Sequence, residues 1–141
     1  MMKRYNVIMV FSPEGDRLLF CKRTREPFRG KFNMVGGHIE PGESDEDAAY
    51  RELEEESGIG RNDIRLTHAM DILYHTSDME LQIWAGRLQR DALLREEENP
   101  LCWLSVEEDY FDYTRFAGNG NIGHILREVL NAGIVDGPGS D

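Results

Sequence analysis

Between Glu43 and Glu56 the chain carries eight carboxylates in fourteen residues and a single base, Arg51. The segment reads as a helix. Pro41 and Gly42 make a turn, and Ser44 is a good N-cap with Asp47 three residues on. Asp45, Glu46 and Asp47 suit the positive end of the helix dipole. Gly58 fits the left-handed position just past the last turn. An arbitrary acidic helix is ordinarily a solvated charged face, but the spacing here is selective. Glu52, Glu55 and Glu56 stand at i, i+3 and i+4, within about 100° of arc, so their side chains converge. Like charges so placed cost a helix a few tenths of a kcal/mol per pair. A divalent cation relieves that cost, and carboxylate oxygens suit a hard ion such as Mg²⁺ or Mn²⁺ rather than zinc. Ala48 and Ala49, one turn earlier, leave room for a loop to approach. Gly36-Gly37 is the candidate, since paired glycines let backbone come close to a metal or ligand; the plainer reading of that pair is a tight turn.

Around this helix the chain reads as alternating strands and turns. Residues 5–11 are strongly apolar and predict a buried strand. Residues 12–16 form a turn signalled by Pro13 and Gly15, and residues 17–23 predict the second strand of a hairpin. Residues 26–31 read as a polar loop, and 32–35 as a short extended segment ending in the glycine pair. After the helix, 64–75 and 80–88 predict a longer hairpin, and 101–104 a short strand. Residues 121–131 predict a second helix, with Ile122, Ile125, Leu126, Val129 and Leu130 at helical spacing. Strands, helix, strands, helix implies an α/β (α+β) fold, a mixed sheet sandwiched between helices. One domain over residues 1–135 is expected, followed by a frayed tail over 136–141.

The bulk numbers exclude several classes. A net charge of −11 argues against a general nucleic-acid binder, whose affinity rests on Lys and Arg meeting phosphates. It leaves room for a small phosphorylated ligand whose metal neutralises the local carboxylates. The two cysteines, Cys21 and Cys102, sit in apolar runs with no metal-type spacing and read as free thiols of a reducing compartment. No run approaches the roughly 20 apolar residues of a membrane helix, and no secretory signal is visible. The expectation is a cytosolic monomer or homodimer that binds neither nucleic acid nor membrane. One stretch departs from the acidic balance: Lys22, Arg23, Arg25, Arg29 and Lys31 face one acid, Glu26. A basic strand end opposite an acidic, metal-loaded helix would hold a diphosphate from both sides; otherwise it is a solvated strand end.

Gly37, five residues, Glu43, seven residues, then Arg51-Glu52-Leu53-Glu54-Glu55-Glu56-Ser57-Gly58-Ile59 matches the Nudix box (G-x5-E-x7-R-E-U-x-E-E-x-G-U) at every specified position. The chain therefore resembles the Nudix hydrolases, and the element order extends the resemblance over residues 4–131. The resemblance implies a loop–helix–loop that binds divalent metal on a diphosphate. It implies Glu52, Glu55 and Glu56 as metal ligands, with one of them or a nearby acid activating the attacking water. It implies the Gly36 carbonyl as a further ligand, and Glu43 with Arg51 as an ion pair that holds the box together. It also implies an acid on a later loop shortly before an aromatic residue. Among Glu96, Glu97 and Glu98, Glu97 matches best by its distance from Trp103, with the other two open and simple solvation of all three the alternative. A base near Arg23 commonly contacts substrate in the family; Lys22 is its neighbour.

For the substrate, residues 30–37 are similar to the segment of MutT-like and oxidised-purine nucleotide hydrolases in which a polar residue at Asn33 reads the base. Asn119 is a second candidate, and Phe28, Tyr113 and Phe116 are aromatics able to stack a base. His38 is placed to touch phosphate. The chain departs from that subgroup at Met34-Val35, at His38, and at Gly118-Asn119, where some members carry an acidic pair. It lacks the proline signature of ADP-ribose hydrolases, whereas Tyr74 stands where dinucleoside polyphosphate hydrolases carry a tyrosine. The implied function is Mg²⁺-dependent cleavage of a nucleoside triphosphate to monophosphate and pyrophosphate. Dinucleoside polyphosphates or nucleotide sugars are alternative substrates, and a nucleotide-sensing domain without turnover is a third reading.

Overall fold

A computed structural model describes residues 2–135; the expected tail over residues 136–141 lies outside the described residues. In chain order the elements are β1 (Lys3–Phe11), β2 (Arg17–Lys22), β3 (Phe32–Asn33), β4 (Val35–His38), α1 (Asp45–Ser57), β5 (Thr67–Tyr74), β6 (Met79–Arg87), β7 (Leu101–Ser105) and α2 (Asn121–Asn131). All seven strands join one sheet, with β3-β2-β1-β6-β5 in order, β4 on β1 and β7 on β2. The expected mixed sheet between helices is what forms. β1 and β6 run parallel along their whole length, from Lys3↔Met79 to Phe11↔Arg87, and the other pairings are antiparallel.

The alternation of β1 explains the layering. Successive strand side chains point to opposite faces, so Ile8 and Val10 face α1 while Met9 and Phe11 face α2. On the α1 side they meet Ala49, Tyr50 and Leu53. On the other they meet Ile122, Ile125, Leu126 and Val129, the apolar stripe of α2. Each helix thus buries its stripe on one face of a shared sheet, and the two cores never mix.

The strands differ from expectation in three places. The β1–β2 hairpin is real at its turn, where the Ser12 hydroxyl accepts from the Arg17 N–H at 3.0 Å and donates to Asp16 at 2.9 Å. It pairs only Phe11 with Leu18, after which that edge of β2 passes to β3, while β7 runs along the other edge from Arg17 to Cys21. The edge of β1 so released is taken by β4, Tyr5 to Ile8 opposite Val35 to His38. The single segment expected over 32–35 is therefore two strands: β3 stays on β2, the chain changes partner at Met34, and β4 continues on β1. The glycine pair lies within β4 instead of ending it. Of residues 64–75, only Thr67–Tyr74 is a strand, since Ile64 makes one isolated bridge to Leu88.

The helix limits follow the capping residues. Ser44 accepts from the Asp47 N–H at 3.1 Å, and Gly58 (φ 81°) closes the last turn onto the Glu54 carbonyl. Cys21 and Cys102 are free and face opposite cores, so they cannot bridge. Burial pushes the Cys21 thiol up to about 11. Among the described residues no helix is long and apolar enough to cross a membrane.

Leu53 carries the attachment of α1 and is fully buried. Leu53→Ala is expected to lower the urea-unfolding free energy by about 2–5 kcal/mol, with a helical circular-dichroism signal retained below the transition.

Candidate active site

The site forms where β4 passes between β1 and α1. A Cβ on Gly36 would lie 2.1 Å from the Asn6 carbonyl oxygen, and one on Gly37 would lie 2.5 Å from a Glu52 carboxylate oxygen. At Gly36 the clash is with backbone, so only glycine fits; at Gly37 it is with the end of the Glu52 side chain, which would have to move aside. With no side chain in the way, the Gly36 N–H donates to Glu56 Oε2 at 2.6 Å, and the Gly37 N–H to Asn6 Oδ1 at 3.0 Å. The backbone of the glycine pair is thereby tied to the strand behind it and to the helix in front.

Glu52, Glu55, Glu56, Glu97 and Glu98 line one open cavity of about 500 Å³ together with Gly36 and Arg95. This brings together every residue that the spacing and the box assign to a cation. Burial pushes the Glu56 carboxyl up to about 7; Glu52 and Glu98 add to the rise, while the Gly36 N–H and Arg23 oppose it. Burial also raises Glu52, against the pull of Arg51. Two half-buried carboxylates side by side disfavour each other's charge, the condition that a bound cation relieves.

The cation in direct contact with Glu52 and Glu55 is Arg51. Its guanidinium meets Glu43 at 2.6 and 2.9 Å, Glu52 at 2.9 Å and Glu55 at 3.2 Å, and donates to the His38 carbonyl at 3.0 Å. The pair with Glu43 is the one expected; the reach to Glu52 and Glu55 is additional. Among the described residues no three acids stand already converged on one point: Arg51 engages Glu52 and Glu55, while Glu56 is held by the Gly36 N–H. The donor set nonetheless fits a hard divalent ion: all-oxygen, several carboxylates, and an open wall at Gly36.

The late acids divide. Glu96 accepts from the Leu101 N–H at 2.7 Å and so holds the loop. Glu97 lines the cavity but pairs with Arg95 at 3.3 Å. Glu98 lines it too and acts electrostatically on Glu56. Arg95, the one cation of that lining, had no signal in the sequence beyond its place next to three acids.

On the α2 face lies a second cavity of about 470 Å³, mostly apolar, lined by Val7, Phe28, Asn33, Tyr74, Leu81 and Asn119 among others. Asn33 and Asn119, far apart in the chain, meet here. Phe28 joins them, whereas Phe116 is sealed in the core and Tyr113 is 63% exposed. Tyr74 accepts from Asn121 Nδ2 at 2.6 Å, a link across the pocket wall that the sequence did not indicate. Arg23 lines neither cavity but acts electrostatically on Glu56, with its Nε donating to the Pro27 carbonyl at 2.6 Å. Lys22, one residue earlier, points the other way: it lies 5.8 Å over the Phe32 ring and lines neither cavity. His38 turns its ring onto Tyr5, 4.4 Å between centroids, and offers its carbonyl to Arg51.

The NUDIX domain family matches residues 2–119 of the chain. The chain belongs to the Nudix family. It is 47% identical over 53 residues to the NAD-capped RNA hydrolase of Macaca fascicularis, 38% of this chain and 11% of that protein. It is 63% identical over 63 residues to the RNA pyrophosphohydrolase of Photorhabdus laumondii, 45% of this chain and 34% of that protein. The matched stretches thus span at most about a third of these relatives' own length. Among solved structures, a C. elegans Ap4A hydrolase binary complex superposes with a TM-score of 0.72 at 18% identity, covering 91% of this chain and 96% of that one. At that identity the likeness is one of fold.

The Glu43–Arg51 pair generates a prediction. Arg51 holds the Glu43 carboxyl below its usual range, so the pair stabilises the fold at neutral pH and the contribution fades as falling pH protonates Glu43. Glu43→Gln is expected to cost about 1.5–3 kcal/mol at pH 7. In urea titrations the gap to the wild-type protein narrows below about pH 4.

Proposed function

We propose that the chain hydrolyses a diphosphate linkage in a nucleotide with the help of Mg²⁺ or Mn²⁺. The main reading is a nucleoside triphosphate cut with water to the monophosphate and pyrophosphate. One observation carries it: an acidic, oxygen-lined cavity and an apolar pocket with three amides, Asn33, Asn119 and Asn121, lie on the two sides of the same β3–β4 segment. That arrangement suits a ligand with an anionic and a flat heteroaromatic end. Glu52, Glu55 and Glu56 are the residues that would hold the cation, with the Gly36 carbonyl beside them and Glu97 or Glu98 from the late loop. The ion, when bound, neutralises phosphate oxygens and lowers the pKa of a bound water. The chain's own part is to place the carboxylates, to accept the water's proton on one of them, and to meet phosphate from the opposite side with Arg23. Asn33 and Asn119 offer donor and acceptor edges to a base, and Phe28 a face.

A dinucleoside polyphosphate is the second reading. Tyr74 favours it, because this tyrosine lines the apolar pocket and is held by Asn121. A panel of nucleoside triphosphates, oxidised purines included, set against dinucleoside polyphosphates and nucleotide sugars separates the two by product: pyrophosphate from the first class, two nucleotides or a sugar phosphate from the others.

Glu55→Gln and Glu56→Gln are each expected to lower turnover by about 10²–10⁴-fold, and EDTA to abolish it until Mg²⁺ is restored. Unchanged turnover in both variants would overturn the proposal. In the apolar pocket, Asn33→Leu is expected to raise KM for the preferred base by about 10–100-fold, the loss of one or two hydrogen bonds to a buried ligand, with kcat changing less.

A further inference from the structure

Asn6 stands apart from everything the box accounts for. It sits in the middle of β1, in an otherwise apolar run, and is 1% exposed. Its Oδ1 accepts the Gly37 N–H at 3.0 Å, while its Nδ2 is buried with no hydrogen-bond partner. Its backbone carbonyl occupies the space where a Gly36 side chain would lie. Both glycines held this way touch the acidic helix: Gly36 through its N–H to Glu56, and Gly37 by the close seating of the Glu52 carboxylate. A buried amide in a strand is costly to keep unless its polar atoms are used. A leucine, branched at the same atom, would carry no such cost. The half-used amide therefore marks a position kept for what it does to the glycine pair, and through it to the two carboxylates.

We propose that Asn6 is a positioning residue for the cation site: its carboxamide sets the Gly36–Gly37 backbone from the sheet side, and that backbone holds Glu52 and Glu56 in the orientation that takes a divalent ion. The proposal rests on the cation reading given under Proposed function and adds a residue that lies outside the box and lines neither cavity.

The test is Mn²⁺ binding without nucleotide, read from the electron-paramagnetic signal of the free ion, for the wild-type protein and Asn6→Leu. Groups that orient metal ligands typically contribute about 10–100-fold to affinity, so Asn6→Leu is expected to bind Mn²⁺ at least about tenfold more weakly. In turnover, the Mg²⁺ concentration for half-maximal rate rises by a similar factor while KM for nucleotide stays within about twofold. Equal Mn²⁺ affinity in a folded Asn6→Leu protein overturns the inference and leaves the cation reading standing. A wild-type protein that takes up no Mn²⁺ defeats the cation reading itself, and this inference with it. Should Asn6→Leu fail to fold, nuclear magnetic resonance of the wild-type protein decides. On Mg²⁺ titration the Asn6 side-chain amide signals are expected to shift with the midpoint of the Gly36 and Gly37 amides. Glycine shifts without any movement of the Asn6 amide overturn it.

Discussion

The rest of the site depends on the passage of two side-chain-free residues between a strand and a helix. At Gly36 the backbone of β1 fills the space a Cβ would need, and at Gly37 a carboxylate from α1 fills it. A side chain at Gly36 would push β4 off β1, and one at Gly37 would displace the Glu52 carboxylate from its place. Because β4 can lie there, the chain changes strand partner at Met34. That crossing puts Asn33 on the apolar pocket and Gly36 on the acidic cavity. The division of labour between the two faces follows from one close approach.

Electrostatically the molecule keeps its compensation local. A net charge of −11 would suggest diffuse repulsion, yet the dense acidic stretch is braced locally: Arg4 and Arg61 meet the acids of its first turn, and Arg51 spans the turn before the helix and two turns within it. Side-chain exposure is 29% for Arg51 and 17% and 13% for Glu43 and Glu52, so these contacts escape much of the screening that weakens surface pairs. Glu55, at 59%, is the loosely held member of the set. The gradient from the buried end at Glu52 to the open end at Glu55 sets which carboxylate gives up its arginine contact at least cost.

What the sequence made legible was local. The limits of α1 came from Ser44 and Gly58, whose roles are fixed by backbone geometry within a few residues. The limits of α2 came from an apolar stripe of helical period. The joint appearance of Glu52, Glu55 and Glu56 on one cavity follows from spacing on a rigid rod. Long-range choices were not legible in the same way. Nothing in residues 3–11 indicates that their neighbour is 79–87 in parallel, or that the hairpin opens after Phe11, because strand partners are selected by the whole sheet. Distance from Trp103 pointed to Glu97; the loop brings both Glu97 and Glu98 to the cavity and spends Glu96 on the Leu101 N–H, a distinction that distance alone does not carry. Lys22 closes β2 over the Phe32 ring while Arg23, just past the strand, turns to the Pro27 carbonyl, so two bases that composition treats as one patch part company. Asn6 did leave a trace, a lone amide in an apolar strand, with nothing local to say what it held.

The parallel pairing of β1 with β6 also orders the making of the molecule. Arg4 reaches Glu80 at 2.8 Å across a separation of 76 residues. During synthesis the central strand emerges first and its main partner much later, so the apolar run 7–11 spends that interval with an unpaired edge. Strands in that condition are the ones that find partners in other chains. Lys3 and Arg4, at the head of the run, place two positive charges where a stray strand would begin to pair, and charges flanking a hydrophobic strand are a known brake on such pairing. The same Arg4 later closes the native register with Glu80 and ties it to Asp45 at the start of α1, so one side chain guards the strand while it waits and locks it once its partner arrives.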